Sequence, residues 1–270
     1  MKDKQTVLKV DNLSISFTQY VKGLKTRNIT PIKSLSIAIE AGEVLALVGA
    51  SGSGKSLLAH AVLGILPGNA TCGGTITYCG QPLTESSKAR LRGKEISFIP
   101  QSVNYLDPLM RVADQVKIGL PRDNAESIQK DLFSRYGLKE KDGRLYPFEL
   151  SGGMLRRVLF ATSVRSGIKL VIADEPTPGI HPEALSAILN QLRKFADEGV
   201  AVMLITHDIV SALTISDKVT VLKNGSTVET TLAEKFTDNG EKLQHPYTRS
   251  LWNALPQNSF FNYKGVSDWL

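Results

Sequence analysis

Cysteine is almost missing from this chain: 270 residues hold two, Cys72 and Cys79, seven positions apart around a short expected strand. Two thiols cannot close a tetrahedral metal site, and a disulfide is disfavoured in a reducing compartment, so both read as packing or surface residues. Long apolar runs are missing as well. The longest fall far short of the roughly 18 to 20 residues that span a bilayer. Met1-Lys2-Asp3-Lys4-Gln5 has no apolar segment behind it, which argues against a secretory leader. The expectation is a chain kept in the cytoplasm, with any membrane role exercised through a partner. Aromatic residues make up only 7% of the chain, and none interleaves the basic cluster at 88–94, which argues against a single-strand nucleic-acid surface. Internal repeats, low-complexity segments and long heptad runs are also absent.

What is present is an ordinary globular balance, 42% apolar and 21% charged, enough for one large domain or two small ones. The net charge of +6 is uneven: residues 1–33 hold seven Lys/Arg against Asp3 and Asp11. Such a basic stretch can meet nucleic acid or anionic lipid, but the favoured reading is a solvated loop.

The chain is organised around Gly49-Ala50-Ser51-Gly52-Ser53-Gly54-Lys55-Ser56, which has the G-x-x-x-x-G-K-[ST] spacing of a phosphate-binding loop. Before it, Glu43–Val48 is apolar enough for a strand buried on both faces. After it, Leu57, Leu58, Ala61, Val62, Leu63, Ile65 and Leu66 recur at helical spacing until Pro67-Gly68 ends the run. Strand, glycine loop and helix N-terminus make an anion site. Backbone N–H groups turn inward on a triphosphate, Lys55 reaches the β- and γ-phosphates, and the Ser56 hydroxyl can ligate Mg²⁺.

Residues 6–17 and 35–39 alternate apolar and polar, which predicts strands of an antiparallel pair, with 18–33 between them read as a polar, basic loop. Gly73-Gly74 opens a short strand at Thr75–Tyr78, and Ile96–Ile99 is a further strand ending at Pro100-Gln101. From about 102 to 165 the pattern is helical, interrupted by Pro108, Pro121 and Pro147. There Leu150-Ser151-Gly152-Gly153 forms a glycine-rich turn feeding a helix, a second anion-binding end. Leu170–Ala173 is a buried strand ending in Asp174-Glu175, 119 residues after Lys55. Apolar residues followed by a carboxylate describe a Walker B strand: Asp174 can hold the Mg²⁺ shell and Glu175 can orient the attacking water. An amphipathic helix at 183–198 precedes a strand at Val200–Ile205 that ends Thr206-His207-Asp208, where ligands bind in open α/β sheets, so His207 reads as a phosphate contact. Lys218–Leu222, Asn224-Gly225 and Ser226–Glu229 predict a tight hairpin. Residues 231–270 read as a polar tail with one helical stretch.

Together these motifs resemble the nucleotide-binding subunit of an ABC transporter over nearly the whole chain. The specific marker is Leu150-Ser151-Gly152-Gly153-Met154, similar to the ABC signature and just upstream of the Walker B strand. The resemblance implies an α/β P-loop NTPase cassette with a mixed sheet core, an antiparallel β subdomain and an inserted helical subdomain. It implies one ABC ATP-binding domain over 1–270: a nucleotide-binding core with its antiparallel part at 1–101 and 166–230, a helical subdomain at 102–165 and a C-terminal extension at 231–270. It identifies Gln101 with the Q-loop and His207 with the switch histidine, so that Glu175, His207 and Gln101 serve catalysis. ATP would then contact Gly49, Ser51 to Leu57 (Ser51, Gly52, Ser53, Gly54, Lys55, Ser56, Leu57), Ser151, Gly152 and Gly153, with Phe17 or alternatively Tyr20 stacking on adenine. Mg²⁺ would sit on Ser56, Gln101 and Asp174.

Such cassettes work head to tail, one chain's phosphate loop facing the other's signature loop. The implied partners are a second ABC ATPase subunit, two integral membrane permeases and an extracytoplasmic solute-binding protein, with no nucleic acid, at the cytoplasmic face of the membrane. Met154, Tyr146-Pro147-Phe148-Glu149 and His245–Leu251 resemble the peptide and nickel importers. The short tail without a cysteine cluster, together with Leu57–Pro67, leans toward the nickel type and predicts no iron–sulfur centre; dipeptide or oligopeptide import is the alternative. Where the family has Leu-Asp after Glu175-Pro176-Thr177, this chain has Pro178-Gly179-Ile180-His181. His181 in place of an acceptor-only carboxylate implies unequal ATP sites and a heterodimer. Soluble ABC ATPases of the DNA-repair type carry a long coiled coil between the two nucleotide motifs, and translation-factor cassettes come as two in one chain; neither pattern appears. A catalytically dead module would lack Glu175 or His207, and both are present.

Overall fold

The computed structural model describes residues 5–22, 25–163, 165–176 and 182–259. The first half of the chain builds β1 (Thr6–Lys22), β2 (Lys25–Glu40), β3 (Val44–Gly49), α1 (Lys55–Leu63), β4 (Ala70–Tyr78), β5 (Gln81–Pro82), α2 (Glu85–Leu91) and β6 (Ile96–Ile99). Then come α3 (Val112–Lys117), α4 (Ala125–Arg135) and α5 (Gly152–Ser163) with short 3₁₀ turns and no strand between them. The chain returns to the sheet with β7 (Leu170–Asp174), α6 (Pro182–Asp197), β8 (Ala201–Ile205), α7 (Ile209–Leu213), β9 (Lys218–Lys223) and β10 (Ser226–Leu232), and closes with α8 (Pro246–Asn253) and α9 (Pro256–Ser259).

All ten strands join one sheet in the order β5-β4-β1-β2-β10-β9-β3-β8-β7-β6. The half from β9 to β6 is parallel, and its central strands β3, β7 and β8 are buried, almost wholly apolar runs because both faces are covered. Side chains alternate between the faces. Val44, Ala46, Val48, Val171, Ala173, Val202 and Leu204 enter one core with Leu159, Phe160 and Phe195. Leu45, Leu47, Leu170, Ile172, Met203 and Ile205 enter the other with Leu58, Val62, Leu8, Leu13 and Ile15. The half from β5 to β2 is antiparallel. The two halves meet through β10 and β2 at one register pair, Ser226↔Ser34. Around that pair, the Lys33 and Ser34 N–H groups donate to Gly225 O at 2.8 and 3.3 Å, and Thr227 Oγ1 bonds both the N–H and the C=O of Ser36 at 3.0 Å.

Strand, helix and hairpin expectations hold at the core. Asn224 and Gly225 have φ of 49° and 79°, the left-handed pair of a type I′ turn. Three expectations are corrected. Residues 18–33 are not a loop: Thr18↔Asn28, Gln19↔Arg27, Tyr20↔Thr26 and Lys22↔Lys25 continue the β1–β2 ladder. Backbone pairing supplies the order there, and side chains 25–30 are exposed, so no alternation marks the strand. The strand before Tyr78 begins at Ala70, running through Gly73-Gly74. The segment after 231 is more than a polar tail with one helix. β10 runs to Leu232, two helices follow, and Phe236, Leu243 and Trp252 join the core, with Phe236 and Trp252 edge to face at 5.6 Å.

Candidate active site

Parallel strands β3, β6, β7 and β8 end on the same rim, and each delivers one part of the site. The phosphate loop follows β3. Gly54, with φ 97°, caps the N-terminus of α1, and a Cβ there would lie 2.7 Å from Ile32 Cγ1, so the loop packs too closely on β2 for any other residue. Lys55 opens α1. Its buried ammonium donates to Gly49 O at 2.8 Å and Ala50 O at 3.1 Å. Burial pushes its pKa down, while Glu175 and Asp174 work the other way.

Gln101 follows β6 and reaches the same cavity, about 510 Å³, lined by Ser51 to Leu57, Gln101, Glu175 and His207. β7 ends in Asp174, whose carboxyl is pushed above the ordinary aspartate value, first by burial and next against a Ser56 hydrogen bond that favours the charge. One oxygen of this buried side chain, Oδ1, has no protein partner, and neither has the buried Ser53 hydroxyl of the phosphate loop. A carboxylate oxygen left over next to the Ser56 hydroxyl is the donor set a small hard cation takes, so the residues fit Mg²⁺. Glu175 has φ 45°, an unusual conformation for a non-glycine residue, pinned by its N–H donating to Ile205 O at 2.8 Å. His207 Nδ1 donates to Glu175 Oε2 at 2.8 Å. Thr206 Oγ1 accepts from Asp208 N–H at 3.0 Å and Asp208 caps α7, which fixes the turn carrying His207.

Ser151, Gly152 and Gly153 lie elsewhere. They are exposed, Ser151 Oγ accepts from Met154 N–H at 3.3 Å, and a Cβ on either glycine would meet nothing within 4 Å. The two glycines border a separate cavity of about 360 Å³ with Tyr136, Arg156, Arg157 and Gln191. Phe17 is half-buried, opposite Ile29 and Ala70, and does not line the phosphate cavity. Tyr20's side chain and the segment 178–181, with His181, lie outside the described residues. Sequence reading missed Arg156, a buried side chain whose Nη1 donates to Gln101 O at 2.9 Å. Its position three and four residues before buried Leu159 and Phe160 was the available signal, since a helix of 3.6 residues per turn sets all three on one face.

A doubly covered parallel sheet with this rim of residues defines a P-loop ATPase of the cassette type. A profile of the ABC transporter family matches residues 32–178, and the chain belongs to that family, as the ATP-hydrolysing component of a transporter in the branch that holds the peptide and nickel importers. It is 34% identical to the oligopeptide transport ATP-binding protein OppD of Escherichia coli (strain K12), over 93% of this chain and 76% of that protein. It is 33% identical to the oligopeptide transport ATP-binding protein AmiE of Streptococcus pneumoniae serotype 4 (strain ATCC BAA-334 / TIGR4), over 95% and 74%. The fold matches the ATP-binding cassette MJ0796, solved as a dimer in a post-hydrolysis state with ADP and Pi, with a TM-score of 0.70 at 23% identity over 84% of this chain and 98% of that one. No helix among the described residues is long and apolar enough to cross a membrane.

Proposed function

We propose that this chain powers the uptake of peptides through a membrane importer. The observation that carries the ATPase half is the convergence of Lys55, Gln101, Glu175 and His207 on one rim and one cavity. The peptide half rests on the relatives, which are named for oligopeptide transport; they favour it over the nickel reading.

In this reading the loop N–H groups and Lys55 bind the triphosphate, and Ser56, Asp174 and Gln101 hold Mg²⁺, which neutralises charge on the β- and γ-phosphates when bound. Glu175 accepts a hydrogen bond from the attacking water and aligns it with the γ-phosphate. The Glu175–His207 bond leaves Nε2 of the ring to address the phosphate side. Ser151 and its glycines are exposed and outside this cavity, which supports the proposal that they complete the site of a second cassette, with His181 making that second cassette a different chain. Two permeases and an extracytoplasmic binding protein are the remaining partners, which puts this chain at the cytoplasmic face of the membrane.

The test is co-expression with candidate permease and solute-binding-protein genes from the same genome, followed by reconstitution in vesicles. Uptake of a labelled oligopeptide, driven by ATP and lost with Lys55→Ala, is the expected result. ATP-driven uptake of nickel without peptide uptake overturns the cargo, and failure to associate with any membrane protein overturns the transport role.

A further inference from the structure

We propose that Arg156 is the positioning residue for Gln101, joining the helix that starts at the signature glycines to the loop that reaches the phosphates. The proposal rests on the reading of Gln101 as a Mg²⁺ ligand given above. Arg156 lies one turn into α5, which begins at Gly152. The residue is buried, 8% exposed. Burial depresses its pKa, and among the described residues no carboxylate forms an ion pair with it. A guanidinium is costly to bury without a strong acceptor, and it remains in place here because Nη1 donates to the Gln101 carbonyl at 2.9 Å. That carbonyl belongs to a residue lining the phosphate cavity, so the bond fixes the backbone that carries the Gln101 amide.

The neighbouring Arg157 does something different: it is exposed and donates to Gly137 O at 3.2 Å, tying α5 to the end of α4. Arg156 also borders the 360 Å³ cavity beside the signature glycines. Arg156 therefore links the Gln101 backbone to the first turn of α5, beside the signature glycines.

The experiment uses the full chain with the non-hydrolysed analogue AMP-PNP and Mn²⁺ as the metal probe, read by electron paramagnetic resonance. Arg156→Met keeps the apolar stem and removes the donor; it should weaken Mn²⁺ binding about tenfold, the usual scale for a group that orients a ligand. Metal-free nucleotide affinity should not change. Arg156→Lys, which can still donate, should restore most of the loss. In a Gln101→Ala chain, Arg156→Met should add less than about a twofold effect, because the two residues act as one unit. Additive losses, or unchanged Mn²⁺ affinity with only a lower melting temperature, overturn the positioning role and leave Gln101 as a ligand. Unchanged Mn²⁺ affinity in Gln101→Ala alone overturns the ligand reading itself, and the positioning role with it.

Discussion

Single residues at the rim separate binding from turnover. Lys55→Ala removes a charge-assisted contact worth about 1.5–3 kcal/mol, so ATP affinity should fall about 10- to 150-fold in a fluorescent-nucleotide titration. Glu175→Gln keeps the shape and the His207 contact but weakens the acceptor that orients water. Phosphate release should drop about 100-fold or more while nucleotide affinity holds. Asp174 gives the clearest trade between stability and chemistry. Its carboxyl binds its proton more tightly in the folded chain than in the unfolded one, chiefly through burial. Its favourable contribution is complete below the ordinary aspartate range and is lost as pH rises through the higher folded value. At neutral pH the ionised group therefore opposes folding of the nucleotide-free chain. Asp174→Asn should raise the melting temperature there by about 2–4 °C, on the order of 1 kcal/mol for a domain of this size, with a smaller gain at pH 4. The same change should abolish Mg²⁺-dependent hydrolysis. A lower melting temperature at pH 7 would show that the Ser56 and Lys55 contacts outweigh the burial of the charge.

Elements explain why the readable parts of the sequence were readable. The β3–loop–α1 unit, the β7 tip and the β8 tip are local: a few consecutive residues set strand, turn and reactive side chain together, and strands covered on both faces leave unbroken apolar runs. The places of the phosphate loop, of Asp174-Glu175 and of His207 at strand tips were therefore legible from the motifs together with the strand pattern. The outer β1–β2 ribbon was not, because backbone pairing orders residues whose side chains stay in water. The packing of Trp252 and Phe236 was hidden for the opposite reason, since two isolated aromatics in a polar stretch carry no period. The Arg156–Gln101 bond spans 55 positions and belongs to tertiary structure. Two substitutions test elements rather than side chains. Gly152→Asp meets open space, so the chain should fold and bind nucleotide normally by itself, yet transport by the assembly should be lost as a carboxylate enters the place of a γ-phosphate. Reduced nucleotide binding by the isolated Gly152→Asp chain would mean that the turn serves its own site. Gly225→Ala should destabilise by more than about 1 kcal/mol in urea unfolding, because φ is +79° and the new Cβ would stand 2.1 Å from Pro31 O.

At the scale of the molecule, one chain holds a phosphate cavity and, lining a separate cavity, the glycines proposed above to complete the site of a second cassette. Completion by a second cassette predicts that this chain alone turns over ATP slowly, and that activity appears with its partner and permeases. The bland alternative is that backbone groups near His181 suffice and its side chain is neutral. Comparing the isolated chain and the full assembly, each as wild type and His181→Asp, decides between them. Robust, concentration-dependent hydrolysis by the isolated chain, unchanged by His181→Asp, would defeat the unequal pair.

The seam at Ser34 and Ser226 gives the sheet an uneven mechanical character. On the parallel side, neighbouring strands share continuous ladders; at the seam, the main-chain connection narrows to one register pair and the Gly225 carbonyl. Non-directional apolar contacts cross beneath it, with Leu8, Leu13 and Ile15 in the same core as Leu45 and Leu47. Directional bonds resist sliding, whereas apolar contact tolerates small displacements and resists only separation. The antiparallel half is thus mounted on the parallel half as a damped suspension rather than a weld, and Ile32, at the end of that mount, packs against Gly54, the glycine that closes the phosphate loop and caps α1.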